Sequence, residues 1–526
     1  MRKTEKTRRI KWAVFLPPFL LTIVCVIYNF INSASFAGTM SALYYGILNH
    51  FGWMFLGGPL FMLFVLIWVC FTPLGNVVLG GKDAVPIFDK KTWYYVALCT
   101  TVACGIVFWA AAEPIQHYLN PPASLGIEGG TPAAATYSMA IVFNNWTLMP
   151  YAIYCVVTVM FAFAYYNMKK EYSLGSCLAP IVKEKYEKPV GTLVDIVCIF
   201  TLVAGLAASL GVGILNLNGA LTNMFSLISS PFVWAVIIAV VTATFVVSSV
   251  SGVSKGIKFL SNFNVYVYGL ILLLTLMFGG VVFILNFGME SIAMWLDNFF
   301  RISLFTGAAA KDTWAQDWPV FYMGNWAAWA PISGVFLAKI SKGRTVKECI
   351  LLNLFATALF SILWFMIISG ATLNMVMNHP GSGLTEAFAM GYENVIYCLF
   401  DNLPLSVITK ILFFVAVFVS FVTASDSTTV AISDLCCHSD KENPEKSDTP
   451  AFVKILWGVI ISVLTWIMMS IGEGITGMKM LSNIGGLPAL IFVLLITTAL
   501  IRVAKNPKKF DRTQADGVMG ENAETN

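Results

Sequence analysis

The sequence predicts an all-α membrane protein of 12 transmembrane helices, from its apolar composition, the length of its apolar runs and the placement of its charges. Of 526 residues, 58% are hydrophobic and 11% charged, less than half the roughly 25% charged share of a soluble domain. An ordinary soluble globule is therefore excluded. A disordered chain and a nucleic-acid binder are excluded too, because the net charge is only +4 and no basic stripe is present.

The apolar runs cover 12–31, 52–71, 93–112, 139–165, 191–210, 231–250, 265–287, 320–340, 349–375, 405–421, 452–471 and 480–501, each near the length of about 20 residues that crosses a bilayer as helix. The tenth runs on to about 430. A basic start (Arg2, Lys3, Arg8, Arg9, Lys11) gives the first run the look of a signal peptide, but it is too long and lacks a small-residue cleavage site. It reads as an uncleaved span. Segments 1–11, 73–92, 166–190, 251–258, 339–347, 432–454 and 502–512 hold 28 of the 32 Lys and Arg, leaving only Arg301, Lys311, Lys410 and Lys479 elsewhere. Those segments are alternate loops plus both tails, which predicts a cytoplasmic-membrane protein with both termini in the cytosol. Over 288–317, Ile292, Trp295, Leu296, Phe299, Phe300 and Ile302 recur at near-helical spacing among Glu290, Asp297 and Arg301. That pattern fits a helix lying in the outer interface, or a plain amphipathic linker; residues 382–401 are a second candidate.

Catalytic chemistry is not in sight. The four histidines (His50, His117, His379, His438) lie outside or at the ends of the runs, and no metalloprotease, nucleophile-elbow or phosphate-loop motif is present. The 11 cysteines include no C-x-x-C spacing and read as small buried hydrophobes and free thiols. No enzyme, cofactor or metal site is expected.

Aromatic residues are more informative. Trp146, Tyr151 and Tyr154 stand in N-N-W-T-L-M-P-Y-A-I-Y, with Tyr151 and Tyr154 on one helical face. Trp326 and Trp329 stand in W-P-V-F-Y-M-G-N-W-A-A-W-A-P, where Gly324 and Pro331 weaken the local helix. Read from residue types alone, these rings suit either a membrane aromatic belt and core packing or a binding box.

Four strings narrow the choice: F-W-A-A-A-E-P-I-Q-H-Y-L-N-P-P (108–122), V-D-I-V…G-L-A-A-S-L-G-V-G (194–213), the Trp326 string, and F-L-A-K-I-S-K-G-R-T-V-K-E (336–348). They resemble the betaine/choline/carnitine transporter family over about 52–433. The resemblance implies a five-plus-five inverted repeat of the leucine-transporter type preceded by two extra helices. It divides the chain into a tail (1–11), two leading helices (12–90), a first repeat (91–287), a linker helix (288–317), a second repeat (318–503) and a tail (504–526). It also implies a homotrimer, a methylated ammonium substrate exchanged for a counter-substrate, and a substrate site of Trp146, Tyr151, Tyr154, Asn325, Trp326 and Trp329. Physical chemistry supports that class: a quaternary ammonium donates no hydrogen bond, whereas ring faces attract it at roughly 0.5–2 kcal/mol per contact. Three or four contacts suit micromolar-to-millimolar binding.

Some positions depart from the family pattern. Asn325 replaces the first of two adjacent tryptophans, and Tyr151 stands where tryptophan is common, so a smaller or more polar ligand is one reading and a local role for Asn325 the other. Leu202 and Leu206 stand where sodium-coupled members carry threonines, and Ala424 interrupts the usual hydroxyl pair beside Thr423 and Ser425. Lys258 stands where sodium-independent carnitine/γ-butyrobetaine exchangers of the family carry an arginine in place of the ion. The resemblance thus implies sodium-independent exchange, with sodium- or proton-coupled symport as the alternative. A lysine that only snorkels to the interface is the structural reading of Lys258.

Overall fold

The computed structural model describes residues 8–101, 104–251, 254–438, 449–472 and 474–513, with side chains at all of these except 99–101, 104, 254–263 and 265. In the first half, α1 (Trp12–Ile31) and α2 (Ser33–Cys70) lead into α3 (Lys90–Thr101), α4 (Cys104–Leu119), α5 (Pro132–Trp146), α6 (Leu148–Ala162), α7 (Glu184–Phe225), α8 (Pro231–Ser251) and α9 (Ser254–Phe278). There follow α10 (Val281–Asp297), α11 (Phe299–Ser303), α12 (Phe321–Ile340), α13 (Val346–Ile350), α14 (Thr357–Asn378), α15 (Leu384–Met390) and α16 (Tyr392–Asp401). The chain closes with α17 (Ser406–Leu435), α18 (Ala451–Ile471), α19 (Ile475–Lys505) and α20 (Pro507–Phe510). Extended pairing among the described residues is confined to two isolated bridges, Ile10 with Cys437 and Val78 with Thr345.

Nine described helical stretches are long and apolar enough to cross a bilayer, or ten if one bent pair counts as a span. The third and eighth predicted runs fall outside that set. The third is divided between α3 and α4 around residues outside the described set. The eighth, α12, is diluted by Gly324, Asn325, Pro331 and Ser333. The bent pair corrects the predicted boundary of the linker helix. The seventh run does not continue to 287; the chain turns by 101° between Phe278 and Val281. Gly280 takes φ +95°, a conformation closed to most residues, and Asn374 on α14 donates to the Gly279 carbonyl at 3.0 Å to hold the turn. The linker helix therefore begins at Val281, before the predicted 288.

Around the centre, α12 packs against α6 and α19, and α19 against α7. Small residues permit this closeness, as in membrane bundles generally. A methyl group on Gly486 would lie 2.3 Å from the carbonyl oxygen of Gly324.

The first and last described segments are each tied to neighbouring loops and helix ends. Lys11 donates its backbone N–H to Cys436, Arg8 pairs with Asp434 at 3.3 Å, and Lys11 reaches Asp195 at 3.7 Å. Arg512 donates to the carbonyl of Asn167, whose side chain bonds Val78 and Gly80.

Gly486→Ala should destabilise the protein by about 1–3 kcal/mol through overpacking against backbone. Gly57→Ala, whose added carbon meets nothing within 4 Å, should leave the melting temperature in detergent unchanged. Equal melting of the two variants would remove the α12–α19 contact from this account.

Candidate functional site

The site begins with a break in a helix. Pro150 has no N–H and its ring clashes with the carbonyl four residues back, so a continuous helix through Trp146 is blocked. The break falls at Thr147 (φ −126°, ψ −115°), between α5 and α6. Trp146 thus ends one helix while Tyr151 and Tyr154 begin the next. All three are buried, as is Trp326 from α12.

Three of the predicted rings converge on a fourth, Trp326. Its ring centroid lies 5.6 Å from Trp146, 5.6 Å from Tyr151 and 5.1 Å from Tyr154, in edge-to-face contacts. Its indole N–H donates to the carbonyl of Asn145, in the last turn before the break, at 3.1 Å. Tyr322 and Phe365 add rings at 5.0 and 5.4 Å from Trp146, and Tyr151 shares a 2.7 Å hydrogen bond with Ser361 of α14. The rings are in direct contact with one another. Gly324 and Pro331 flank Trp326 within the continuous helix α12.

Behind the rings lies a carboxylate. Glu113 on α4 is fully buried. Its Oε2 accepts from Trp146 Nε1 at 2.6 Å and from the Tyr322 hydroxyl at 2.8 Å. Its Oε1 accepts from Asn145 Nδ2 at 2.9 Å, with His117 Nε2 at 3.2 Å. Charge-assisted bonds of this kind are about twice as strong as neutral ones, and together they fix the ring plane of Trp146. Glu113 thereby ties α4 to side chains of the neighbouring helices α5 and α12, Trp146 of the ring cluster among them. Gly105 lets the Trp146 ring approach: a methyl group there would lie 2.8 Å from it.

The remaining predicted site residues lie elsewhere. Asn325 turns toward α19, where Ser482 donates to its Oδ1 at 3.1 Å. Trp329 donates to Ser209 on α7 at 2.9 Å and does not join the ring cluster among the described residues. Lys258 lies on α9, but its side chain is outside the described residues. Sequence reasoning passed over Trp318 and Tyr322, although Trp318, Tyr322 and Trp326 recur at four-residue spacing, one helical face. At the entry to α12, Asp312 ties the preceding segment down by accepting from the N–H groups of Ser124 (3.0 Å) and Trp314 (2.9 Å). Slight burial works against its charge, but these bonds outweigh it and hold the carboxyl below the usual range. No group of three or more potential metal ligands is found among the described residues.

Residues 13–509 match the model of the BCCT, betaine/carnitine/choline family transporter. The chain is 29% identical to the glycine betaine transporter OpuD of Bacillus subtilis over 96% of its own length and 98% of that protein's. It is 31% identical to glycine betaine transporter 1 of Vibrio parahaemolyticus over 81% of each chain. It is 28% identical to the ectoine/hydroxyectoine transporter of Virgibacillus pantothenticus over 95% and 98% of the two chains.

Glu113→Gln should leave at least one buried donor without an acceptor and so cost about 1–3 kcal/mol. The melting temperature of the purified variant should fall, and its indole fluorescence should shift as Trp146 loses its anchor. An unchanged melt and spectrum would mean that the carboxylate does not hold the ring.

Proposed function

This chain belongs to the betaine/carnitine/choline transporter family, and from that premise we propose that it carries a methylated ammonium solute of the glycine betaine type by alternating access, in sodium-independent exchange for a second solute. The observation that carries the reading is the convergence of Trp146, Tyr151 and Tyr154 on Trp326. A fixed positive charge that forms no hydrogen bond is held by ring quadrupoles, and the low dielectric of a buried site strengthens that attraction. Transport rather than chemistry is the activity, since the relatives are transporters.

The inverted repeat is supported by reciprocal packing. The third helix of the first half, α7, lies against the last helix of the second, α19. The corresponding pair with the halves exchanged, α17 and α9, also pack together. On this reading α3–α4 and α12 complete 12 spans. Their lower apolarity reflects their place at the substrate path, where transporters of this kind break their helices. The alternation of basic segments supports cytosolic termini, and the family resemblance supports a homotrimer.

Absence of sodium coupling is supported by Leu202 and Leu206, buried on α7 without an oxygen to offer. Lys258 would supply the fixed cation. Sodium- or proton-driven symport is the second reading, favoured by the Ser425 hydroxyl, buried with no protein partner among the described residues.

Trp326→Ala should abolish or cut uptake of labelled glycine betaine into proteoliposomes by about tenfold or more, the loss of one to two ring contacts, while the protein remains monodisperse. Undiminished uptake by that variant would remove the box. Wild-type uptake should be accelerated by unlabelled glycine betaine inside the vesicle and indifferent to a sodium gradient; a requirement for the gradient would instead establish symport.

A further inference from the structure

Lys479 is one of four basic residues outside the alternating basic segments. It lies one turn into α19 and is only 9% exposed. Its Nζ is 3.7 Å from the ring centroid of Trp318 and 5.1 Å from that of Phe321, and it donates to the backbone carbonyl of Asp317 at 3.0 Å. No carboxylate lies within ion-pair distance among the described residues; Asp317 and Glu113 act on it from farther off. A lysine that merely snorkels puts its nitrogen in water. This one is turned inward onto indole.

A primary ammonium has three N–H donors, and here one is used on the Asp317 carbonyl. Burying such a charge without an anion is costly. The group therefore retains both the capacity and the electrostatic incentive to take a carboxylate. Its position gives that capacity a use. Trp318 stands two residues beyond half-exposed Gln316. From Trp318 a row of rings leads inward: Tyr322 at 6.5 Å, Trp146 a further 5.0 Å on, then Trp326 at 5.6 Å. Trp326 is eight residues past Trp318, about 12 Å along a helix axis. A solute moving along these ring faces toward Trp326 passes the Lys479 ammonium.

We propose that Lys479 is a specificity-determining residue that favours zwitterionic methylammonium solutes, which carry a carboxylate, over singly cationic ones such as choline. This rests on the ring-box reading above. A zwitterion advances its methylated nitrogen along the rings while its trailing carboxylate takes the free N–H groups of Lys479. A cationic alcohol offers no anion and meets a like charge on the same ring row. Attraction for one class and repulsion for the other act together, as selective sites require.

The test is equilibrium binding of glycine betaine and of choline to purified full-length protein, read by indole fluorescence. Wild type should prefer glycine betaine by about tenfold or more, the effect of a close like charge on the weaker ligand. Lys479→Gln should narrow that ratio by about threefold or more, weakening betaine and strengthening choline, and Lys479→Arg should restore it. Should the glutamine variant not fold, Lys479→Met is read by the same ratio. A wild type without preference, or a neutral variant whose ratio moves by less than about threefold, overturns the proposal. Trp326→Leu separates the two readings: weakening of both ligands by a similar factor supports the box, whereas unchanged binding of both overturns the box and with it the proposal, while a ratio moved by Lys479→Gln alone tests the lysine.

Discussion

A carboxylate buried in a membrane protein must have its charge answered by fixed donors, because no water is at hand to do it. Glu113 meets that constraint by drawing donors from α4, α5 and α12 onto its two oxygens. Residues on three helices are thereby fixed relative to one another, and Trp146 is among them. The ring cluster around Trp326 is thus oriented from behind by a charge that no ring touches face-on.

Polarity in a membrane helix is expensive and marks where something happens. Two of the apolar runs fall short of spanning apolarity in the described helices, and they belong to the helices that carry Glu113 and Trp326. The shortfall comes from residues with local work. Gly324 admits the backbone of α19 and Asn325 accepts from Ser482. The same economy appears at Gly279–Gly280, where a sharp turn replaces what hydropathy reads as one run.

Ring faces attract cations without discriminating their source. One end of the ring row already carries the protein's own ammonium, that of Lys479, while the other carries the cluster assigned to solute. A tethered charge of this kind shapes the field along the row before any solute arrives, and its worth depends on being buried, since exposed charges are screened within about 8–10 Å at physiological salt.

Composition and periodicity alone determined much of this protein. The apolar runs announced the membrane, and the alternation of Lys and Arg gave an expected orientation. Trp146, Tyr151, Tyr154 and Trp326 stood out as a set only through the family resemblance of the strings around them. These are properties of the chain read in one dimension, and hydropathy is additive along it. The direction in which a side chain faces is not, because it depends on what the neighbouring helices offer. Asn325 and Trp329 share a string with Trp326 yet turn to Ser482 and Ser209, and Lys479, indistinguishable by sequence from an interfacial lysine, lies on Trp318. Only tertiary structure could decide these, since each hydrogen bond and ring contact closes between residues more than 100 positions apart.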